Sequence, residues 1–204
     1  MNKKISSFII AFLLVVQALA QNNMTSIPIG TNIPESKLLL TAVNGLITSL
    51  DEIKTSKGLL VMFSCNTCPY VVKSQDRTIQ MMRYAKQKGI GMAIINSNEA
   101  YRKEDDSKLE MKNYVKKQGY KVPYLIDDNS VVADAFGATR TPEVFLFDSE
   151  GKLVYKGAME DNPAQPKEST QFYLLNAIDQ MLAGKAIQPN ETKSIGCSIK
   201  RLKK

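Results

Sequence analysis

Short runs of purely apolar residues alternate along the chain with longer stretches of helical periodicity. The apolar runs predict strands that are covered on both faces, because such strands have no solvent-facing polar positions. We predict strands at 58–63, 90–95, 124–127, 143–147 and 153–156, after a hairpin formed by 38–42 and 46–50. We predict helices at 68–88, 103–118, 131–136 and 170–183. This alternation predicts an α/β fold, a three-layer sandwich whose central mixed β-sheet carries helices on both faces, with the hairpin as an N-terminal extension.

The first 20 residues read as a separate unit. Two lysines precede an uninterrupted apolar run over 8–16, and the sequence Ala-Leu-Ala at 18–20 follows as a small-residue cleavage site. This order is typical of a secretory signal peptide, and the run is short for a membrane span of roughly 20 residues. We expect an exported protein, located in the periplasm or another extracytoplasmic space, with no stable membrane insertion after cleavage. An uncleaved N-terminal anchor is the alternative.

The rest of the chain divides by composition into a polar, proline-containing lead-in at 21–34, a domain at 35–188 and a basic tail at 189–204. The formal net charge is +7. Two of the positive charges lie in the signal peptide, and five lie in the segment 193–204, which contains no acid. The remaining residues, 21–192, are therefore neutral in sum and lack the basic surface with interleaved aromatic residues that a nucleic-acid partner requires. We expect a loose lead-in, a solvated tail and no nucleic-acid partner.

The chain contains no histidine and three cysteines. The missing histidine excludes histidine-based catalytic triads, and three cysteines alone fall short of the four ligands of a structural zinc site. Covalent haem attachment requires a histidine directly after a C-x-x-C pair, where this chain has Pro69. We therefore expect neither a metal nor another cofactor, and we expect the cysteines to carry the chemistry.

The main candidates for that chemistry are Cys65 and Cys68, which stand where a predicted buried strand meets a helix. The free N–H groups and partial positive charge of a helix N-terminus stabilise a thiolate, and the i, i+3 spacing lets both sulfurs share one disulfide. We expect Cys65 to be an exposed attacking thiol with a lowered pKa, and Cys68 to be a more buried resolving thiol. An inert structural disulfide is the alternative, although a loop this short gains little stability from closure.

A second motif, Thr141-Pro142, directly precedes the predicted strand at 143–147. A proline in this position is either a plain strand start or a cis-proline in a tight turn, and the spacing alone leaves both open.

Taken together, these motifs resemble the thioredoxin-like superfamily, and within it exported redoxin proteins of the alkyl hydroperoxide reductase/thiol-specific antioxidant (AhpC/TSA) class. The resemblance covers about residues 35–202. A peroxiredoxin-like thioredoxin subgroup shares the segments 68–71 (CPYV), 95–98 (INSN), 123–127 (PYLID) and 196–200 (GCSIK).

The resemblance implies a thiol–disulfide oxidoreductase in which Cys65 is the nucleophile and Cys68 resolves the mixed disulfide. It makes Pro142 a cis-proline facing the disulfide, with Thr141 offering backbone groups to an extended substrate strand. Asn66–Thr67, between the cysteines, become candidate substrate-binding residues. The implied partners are protein or small-molecule disulfides and an electron donor at the membrane or of the thioredoxin type.

The chain departs from the family pattern in three places. The position before Cys68 holds Thr67 instead of the histidine common in the subgroup, which predicts a less acidic Cys65 and a more reducing couple. No acidic residue occurs in 59–64, so we expect no buried carboxylate beneath the resolving thiol. Gly58 and Met62 stand where peroxiredoxins have the proline and threonine of their peroxide-binding loop. Thiol-dependent peroxide reduction is therefore an alternative function, and a non-enzymatic peptide-binding module on the same scaffold is another.

The third cysteine, Cys197, lies in the basic tail. One hypothesis is that the tail folds back and Cys197 acts as an additional resolving thiol. Gly196 would allow close backbone approach, and Lys193 and Lys200 would favour a thiolate. The alternative is that Cys197 is a small buried hydrophobic residue.

Overall fold

The computed structural model describes residues 24–203, and the predicted signal peptide at 1–20 lies outside the described residues. The strands of this part are β1 (Leu40–Ala42), β2 (Ile47–Thr48), β3 (Leu59–Phe63), β4 (Gly91–Asn96), β5 (Tyr124–Ile126), β6 (Arg140–Thr141), β7 (Glu143–Phe147), β8 (Leu153–Gly157) and β9 (Cys197–Ser198). Its α-helices are α1 (Leu50–Ile53), α2 (Pro69–Lys73), α3 (Gln75–Lys88), α4 (Lys108–Gln118), α5 (Val131–Phe136) and α6 (Tyr173–Leu182).

Seven strands form one mixed sheet in the order β2-β1-β5-β4-β3-β7-β8. The three central strands β5, β4 and β3 run parallel, and the remaining neighbours pair antiparallel. This arrangement confirms the predicted mixed sheet. The predicted hairpin is also confirmed, since β1 pairs with β2 on one side and with β5 on the other.

The two faces of the sheet bury separate hydrophobic cores. Alternate residues of β3 supply both, because successive side chains of a strand point to opposite faces. Leu60 and Met62 join the core beneath α3, α4 and α6, whereas Val61 and Phe63 join the core beneath α1 and α5. The helices therefore cover both faces, which confirms the three-layer sandwich. No helix within residues 24–203 is long and apolar enough to cross a membrane.

The predicted helix at 68–88 is wrong in one respect, since it is two helices separated at Ser74. Ser74 ends α2 and precedes α3, and its backbone N–H bonds back to Tyr70 and Val72. The break lets α2 turn Val71 onto the cysteines while α3 packs along the sheet. Val72, the next residue of α2, is exposed.

The predicted helix at 103–118 begins later, at Lys108, because Ser107 caps it by accepting a hydrogen bond from the Glu110 N–H. The preceding residue, Asp106, is fully buried and turns towards the cysteine loop.

The expectations of a loose lead-in and a solvated tail are wrong for the described residues of both segments. In the lead-in, Gly30 N–H donates to the Leu153 carbonyl at 2.8 Å, and Leu153 N–H donates to Thr31 at the same distance. In the tail, β9 pairs with β6, Ile199 enters the core, and Arg201 forms an ion pair with Asp134. Both segments therefore pack onto the domain as part of its fold.

Candidate active site

The cysteine pair occupies the corner between β3 and α2, as predicted. β3 ends at Phe63, and Cys68 is the N-cap residue of α2. Pro69 takes the first helical position, where the backbone N–H of any residue would lack a partner within the helix. The corner thus holds both sulfurs at the end of a fully buried strand.

Thr141 contacts both sulfurs of the pair. The Thr141–Pro142 peptide bond is cis, as the resemblance implies. Thr141 Oγ1 lies 3.4 Å from Cys65 Sγ, and the Thr141 carbonyl oxygen accepts a hydrogen bond from the Cys68 thiol at 3.2 Å. One residue therefore offers a hydroxyl to the first sulfur and a carbonyl to the second.

The expectation of an exposed Cys65 is wrong, because Cys65 is 2% exposed and Cys68 is 3% exposed. Strand β9, which the sequence pattern did not predict, lies beside the pair and packs Cys197 against it. In this strand Cys197 is the register partner of Thr141, so a segment of the chain itself lies where Thr141 was expected to receive an extended substrate strand. Cys197 is the most accessible of the three thiols.

The tail folds back and brings Cys197 Sγ to 2.7 Å from Cys68 Sγ. Gly196 permits this approach, as hypothesised. A Cβ atom on residue 196 would lie 2.1 Å from the Thr141 carbonyl oxygen, so only glycine fits without moving the strand. The contact defines a cluster of three thiols, with Cys68 in contact with both others.

The hydrogen bonds of the reduced cluster lower the pKa of Cys68 and raise that of Cys65, contrary to the expected lowering of the Cys65 pKa. A hydrogen bond from the Cys65 thiol lowers the pKa of Cys68 to about 4, together with bonds from the Cys197 thiol and the backbone N–H groups of Val71 and Cys197. The same bond to Cys68, followed by burial, raises the pKa of Cys65. The pair thus shares one proton, and most N–H and S–H donors point at Cys68.

A buried carboxylate supports the loop between the cysteines. Asp106 is completely buried and accepts hydrogen bonds from the backbone N–H of Asn66 at 2.9 Å and from the side-chain amides of Asn96 at 2.7 Å and Asn98 at 2.8 Å. The sequence-based expectation concerned a carboxylate beneath the resolving thiol, whereas Asp106 is hydrogen-bonded to the loop at Asn66. That expectation considered only residues 59–64, whereas this acid arrives from a distant segment. The two asparagines at the end of a fully apolar strand were the signal for it.

The two residues between the cysteines differ in accessibility. The Asn66 side chain is used internally, since it donates to the Asp105 carbonyl at 2.7 Å and accepts from the Tyr124 hydroxyl at 3.0 Å. Thr67 is exposed and borders a cleft of about 280 Å³ together with Asp105 and Lys117. Thr67 therefore remains a predicted substrate contact, and Asn66 holds the loop in place. Within residues 24–203, no group of three or more histidine, cysteine or acidic residues is arranged to hold a metal ion.

Comparisons with known proteins place the chain in a family and identify its fold. The family described as Redoxin matches residues 28–173. The thiol-disulfide oxidoreductase ResA of Bacillus subtilis is 27% identical over 129 residues, which are 63% of this chain and 66% of that protein. The protein of the same name from Bacillus anthracis is 26% identical over 67% of this chain and 72% of its own length. The chain therefore spans about two thirds of the length of these relatives.

Among solved structures, a hypothetical protein from Sinorhizobium meliloti 1021 superposes with a TM-score of 0.80 and 35% identity, covering 88% of this chain and 98% of that one. A conserved protein from Geobacillus kaustophilus gives 0.80 and 34%, covering 87% and 94%. The thioredoxin domain of a thiol-disulfide oxidoreductase from Bacteroides vulgatus gives 0.55 and 19%, covering 70% and 96%, which shows a shared fold. The fold is thus thioredoxin-like.

Proposed function

Because this chain belongs to the redoxin family, we propose that it is an extracytoplasmic thiol–disulfide oxidoreductase whose redox pair is Cys65 and Cys68. The observation that carries the proposal is the position of Thr141, which contacts both sulfurs at the corner between β3 and α2. The names of the ResA relatives support the same reaction class. The apolar N-terminal segment with its small-residue cleavage site supports export.

In the first step, Cys65 Sγ attacks one sulfur of the substrate disulfide. The proton of Cys65 moves along its hydrogen bond to the Cys68 thiolate. A new bond joins Cys65 to the substrate sulfur, the substrate S–S bond breaks, and the second substrate sulfur leaves as a thiolate. The Thr141 hydroxyl stabilises charge on Cys65 as the proton departs, and the Thr141 carbonyl accepts the new Cys68 S–H.

In the second step, Cys68 Sγ attacks Cys65 Sγ in the mixed disulfide. The Cys65–Cys68 bond forms, the bond between Cys65 and the substrate breaks, and the Cys68 proton passes to the departing substrate thiolate. The substrate disulfide is reduced by two electrons and the pair is oxidised by two. A thiol donor at the membrane or of the thioredoxin type then regenerates the pair. Both cysteines are buried, so we expect β9 to move away from Thr141 before a substrate reaches Cys65.

The test compares the mature chain from Gln21 with Cys65→Ser and Cys68→Ser in the reduction of insulin and of oxidised glutathione. We expect Cys65→Ser to abolish turnover and Cys68→Ser to stop at a trapped mixed disulfide on Cys65. Val72→Ala, an exposed change on α2, serves as the control. Turnover that survives in Cys65→Ser would refute the assignment, and a fully inactive wild type that still binds extended peptides would favour the binding-module alternative.

The direction of electron flow follows from the reduction potential of the pair, measured by equilibration in dithiothreitol or glutathione buffers. A potential near that of thioredoxin, about −270 mV, indicates a reductant, and one near about −120 mV indicates a disulfide donor. Hydrogen peroxide offered in the same assay tests the peroxidase alternative. With Gly58 and Met62 at the positions of the family's peroxide-binding residues, we expect disulfides to be reduced much faster than peroxide.

A further inference from the structure

The most unusual feature of the site is that a third sulfur lies against the redox pair. Cys197 Sγ is 2.7 Å from Cys68 Sγ, closer than the Thr141 carbonyl oxygen, which lies 3.2 Å from the same sulfur. When a fold holds two reactive side chains in contact, each has a large effective concentration at the other, which favours reaction between them. Cys197 is also partly accessible, whereas Cys65 and Cys68 are covered.

The strand that carries Cys197 is held on both sides of it. Before Cys197, Gly196 lies so close to the Thr141–Pro142 peptide that no larger residue fits. After it, Ile199 is buried and its N–H donates to the Thr139 carbonyl at 3.0 Å. Lys200 N–H donates to the Asn98 side chain at 2.8 Å, and the Lys200 carbonyl accepts from the Ala100 N–H at 2.8 Å. These backbone contacts on both sides of Cys197 fix the position of its thiol.

We propose that Cys197 is a third redox-active thiol that takes over the disulfide from the Cys65–Cys68 pair, so that the oxidised protein carries a Cys68–Cys197 bond. The inference rests on the proposed function, which first oxidises the pair. Cys197 Sγ attacks Cys68 Sγ, the Cys68–Cys197 bond forms, and the Cys65–Cys68 bond breaks. The proton of Cys197 passes to Cys65, and no electrons enter or leave the protein.

The charges around Cys197 favour this step once the pair is oxidised. In the reduced cluster, burial, followed by the neighbouring Cys68, raises the pKa of Cys197 to about 11, whereas Lys200 and Arg140 act in the opposite direction. Oxidation of the pair removes the negative charge from Cys68, and the two cations remain. The exchange then moves one end of the disulfide from a covered sulfur to the most accessible one, where a reducing thiol can reach it.

The first test maps the disulfide. The reduced mature chain is oxidised with one equivalent of diamide, quenched in acid, blocked with N-ethylmaleimide and digested with trypsin. Trypsin separates 58–73, which holds both cysteines of the pair, from 194–200, which holds Cys197. We expect the two peptides to be linked, with Cys65 blocked by maleimide. Cys65→Ser should form the same link in high yield, and Cys68→Ser should not form a link to Cys197.

The second test moves the strand and leaves all three thiols in place. Gly196→Ala should displace β9 and return the disulfide to Cys65–Cys68, because the new Cβ would clash with the Thr141 carbonyl. Ser198→Ala, at an exposed position of the same strand, should behave as wild type. If the new bond is favoured roughly ten-fold, Cys197→Ser should raise the reduction potential by about 30 mV.

The outcomes separate this inference from the proposed function. A wild type that reduces insulin but shows only a Cys65–Cys68 disulfide, with Cys197 always blocked, refutes the third thiol and leaves the proposed function standing. A wild type that reduces neither insulin nor oxidised glutathione refutes the proposed function, whatever the mapping shows. Equal yields of the linked peptides in Gly196→Ala and wild type would also overturn the inference, since the link would then not depend on β9.

Discussion

Replacement of Asp106 by asparagine tests whether the buried carboxylate supports the site. The carboxylate accepts three hydrogen bonds, from Asn66, Asn96 and Asn98. An asparagine side chain of the same shape keeps one acceptor oxygen for the first two donors and turns an NH₂ group towards Asn98. The variant therefore loses one charge-assisted hydrogen bond and leaves a buried donor unpaired, which costs about 2–3 kcal/mol.

For a domain of this size, that loss corresponds to a fall in Tm of roughly 4–12 °C. The assay is urea or thermal unfolding of the reduced proteins. Asp105→Asn is the matched control, because it removes the same charge from the adjacent, exposed position and keeps the Asp105 carbonyl that binds Asn66. We expect Asp105→Asn to unfold like the wild type.

The same variant changes the chemistry of the pair in a defined direction. After the hydrogen bond to Cys68 and burial, the charge of Asp106 also raises the pKa of Cys65. Asp106→Asn should therefore lower the pKa of Cys65, measured as the pH dependence of its alkylation in Cys68→Ser and Cys197→Ser backgrounds. A variant as stable as Asp105→Asn, or a Cys65 pKa that rises, would refute the assigned role of the carboxylate.

Three further predictions concern the pair and the fold around it. The pKa of Cys68 is about 4 in the fold and about 8.5 in an unfolded chain. The free energy of unfolding of the reduced wild type should therefore exceed that of Cys68→Ser by an amount that grows from about pH 4 to about pH 8 and disappears below about pH 4. Urea titrations at each pH measure this difference. Thr141→Val should slow attack on oxidised glutathione by roughly five- to ten-fold in stopped-flow traces, since it removes the hydroxyl beside Cys65, whereas Thr141→Ser should restore the rate. Arg77→Met should destabilise the fold by about 3 kcal/mol in urea unfolding, because it leaves the carboxylate of Glu160, 1% exposed, without its cation at 2.7 Å.

Local pattern was enough to predict the frame of the site. The apolar run that became β3 and the cysteine spacing after it predict a strand-to-helix corner, and both Cys65 and Cys68 lie there. The hairpin and the two-sided burial of the sheet were also predicted, because each depends on residues close together in the chain. The late start of α4 could also have been predicted, because the residue that sets it, Ser107, is a typical N-cap residue directly before the helix.

Long-range contacts account for what the pattern missed. Asp106 reaches the loop at Asn66 across 40 residues, and the two asparagines that signal a buried acid do not identify Asn66 as its partner. The strand β9 is two residues long, carries no alternation of its own and exists because Thr141 and Cys197 pair across the fold. A basic, glycine-containing segment of this kind is typical of a solvated tail until its partner is known.

The position of β9 bears directly on the proposed reaction of the pair. In the proposed reaction, a substrate strand that pairs with the backbone of Thr141 takes the place of β9, and that exchange separates Cys197 from Cys68. Because Cys197 supplies a thiol and a backbone N–H that stabilise the Cys68 thiolate, the same movement withdraws two donors and raises the pKa of Cys68. A Cys68 thiolate with fewer donors is a stronger base, so opening the site makes Cys68 a better acceptor for the Cys65 proton at the moment Cys65 attacks. In the proposed reaction, displacement of β9 and activation of Cys65 are therefore coupled, and we expect any change that locks β9 in place to slow both together.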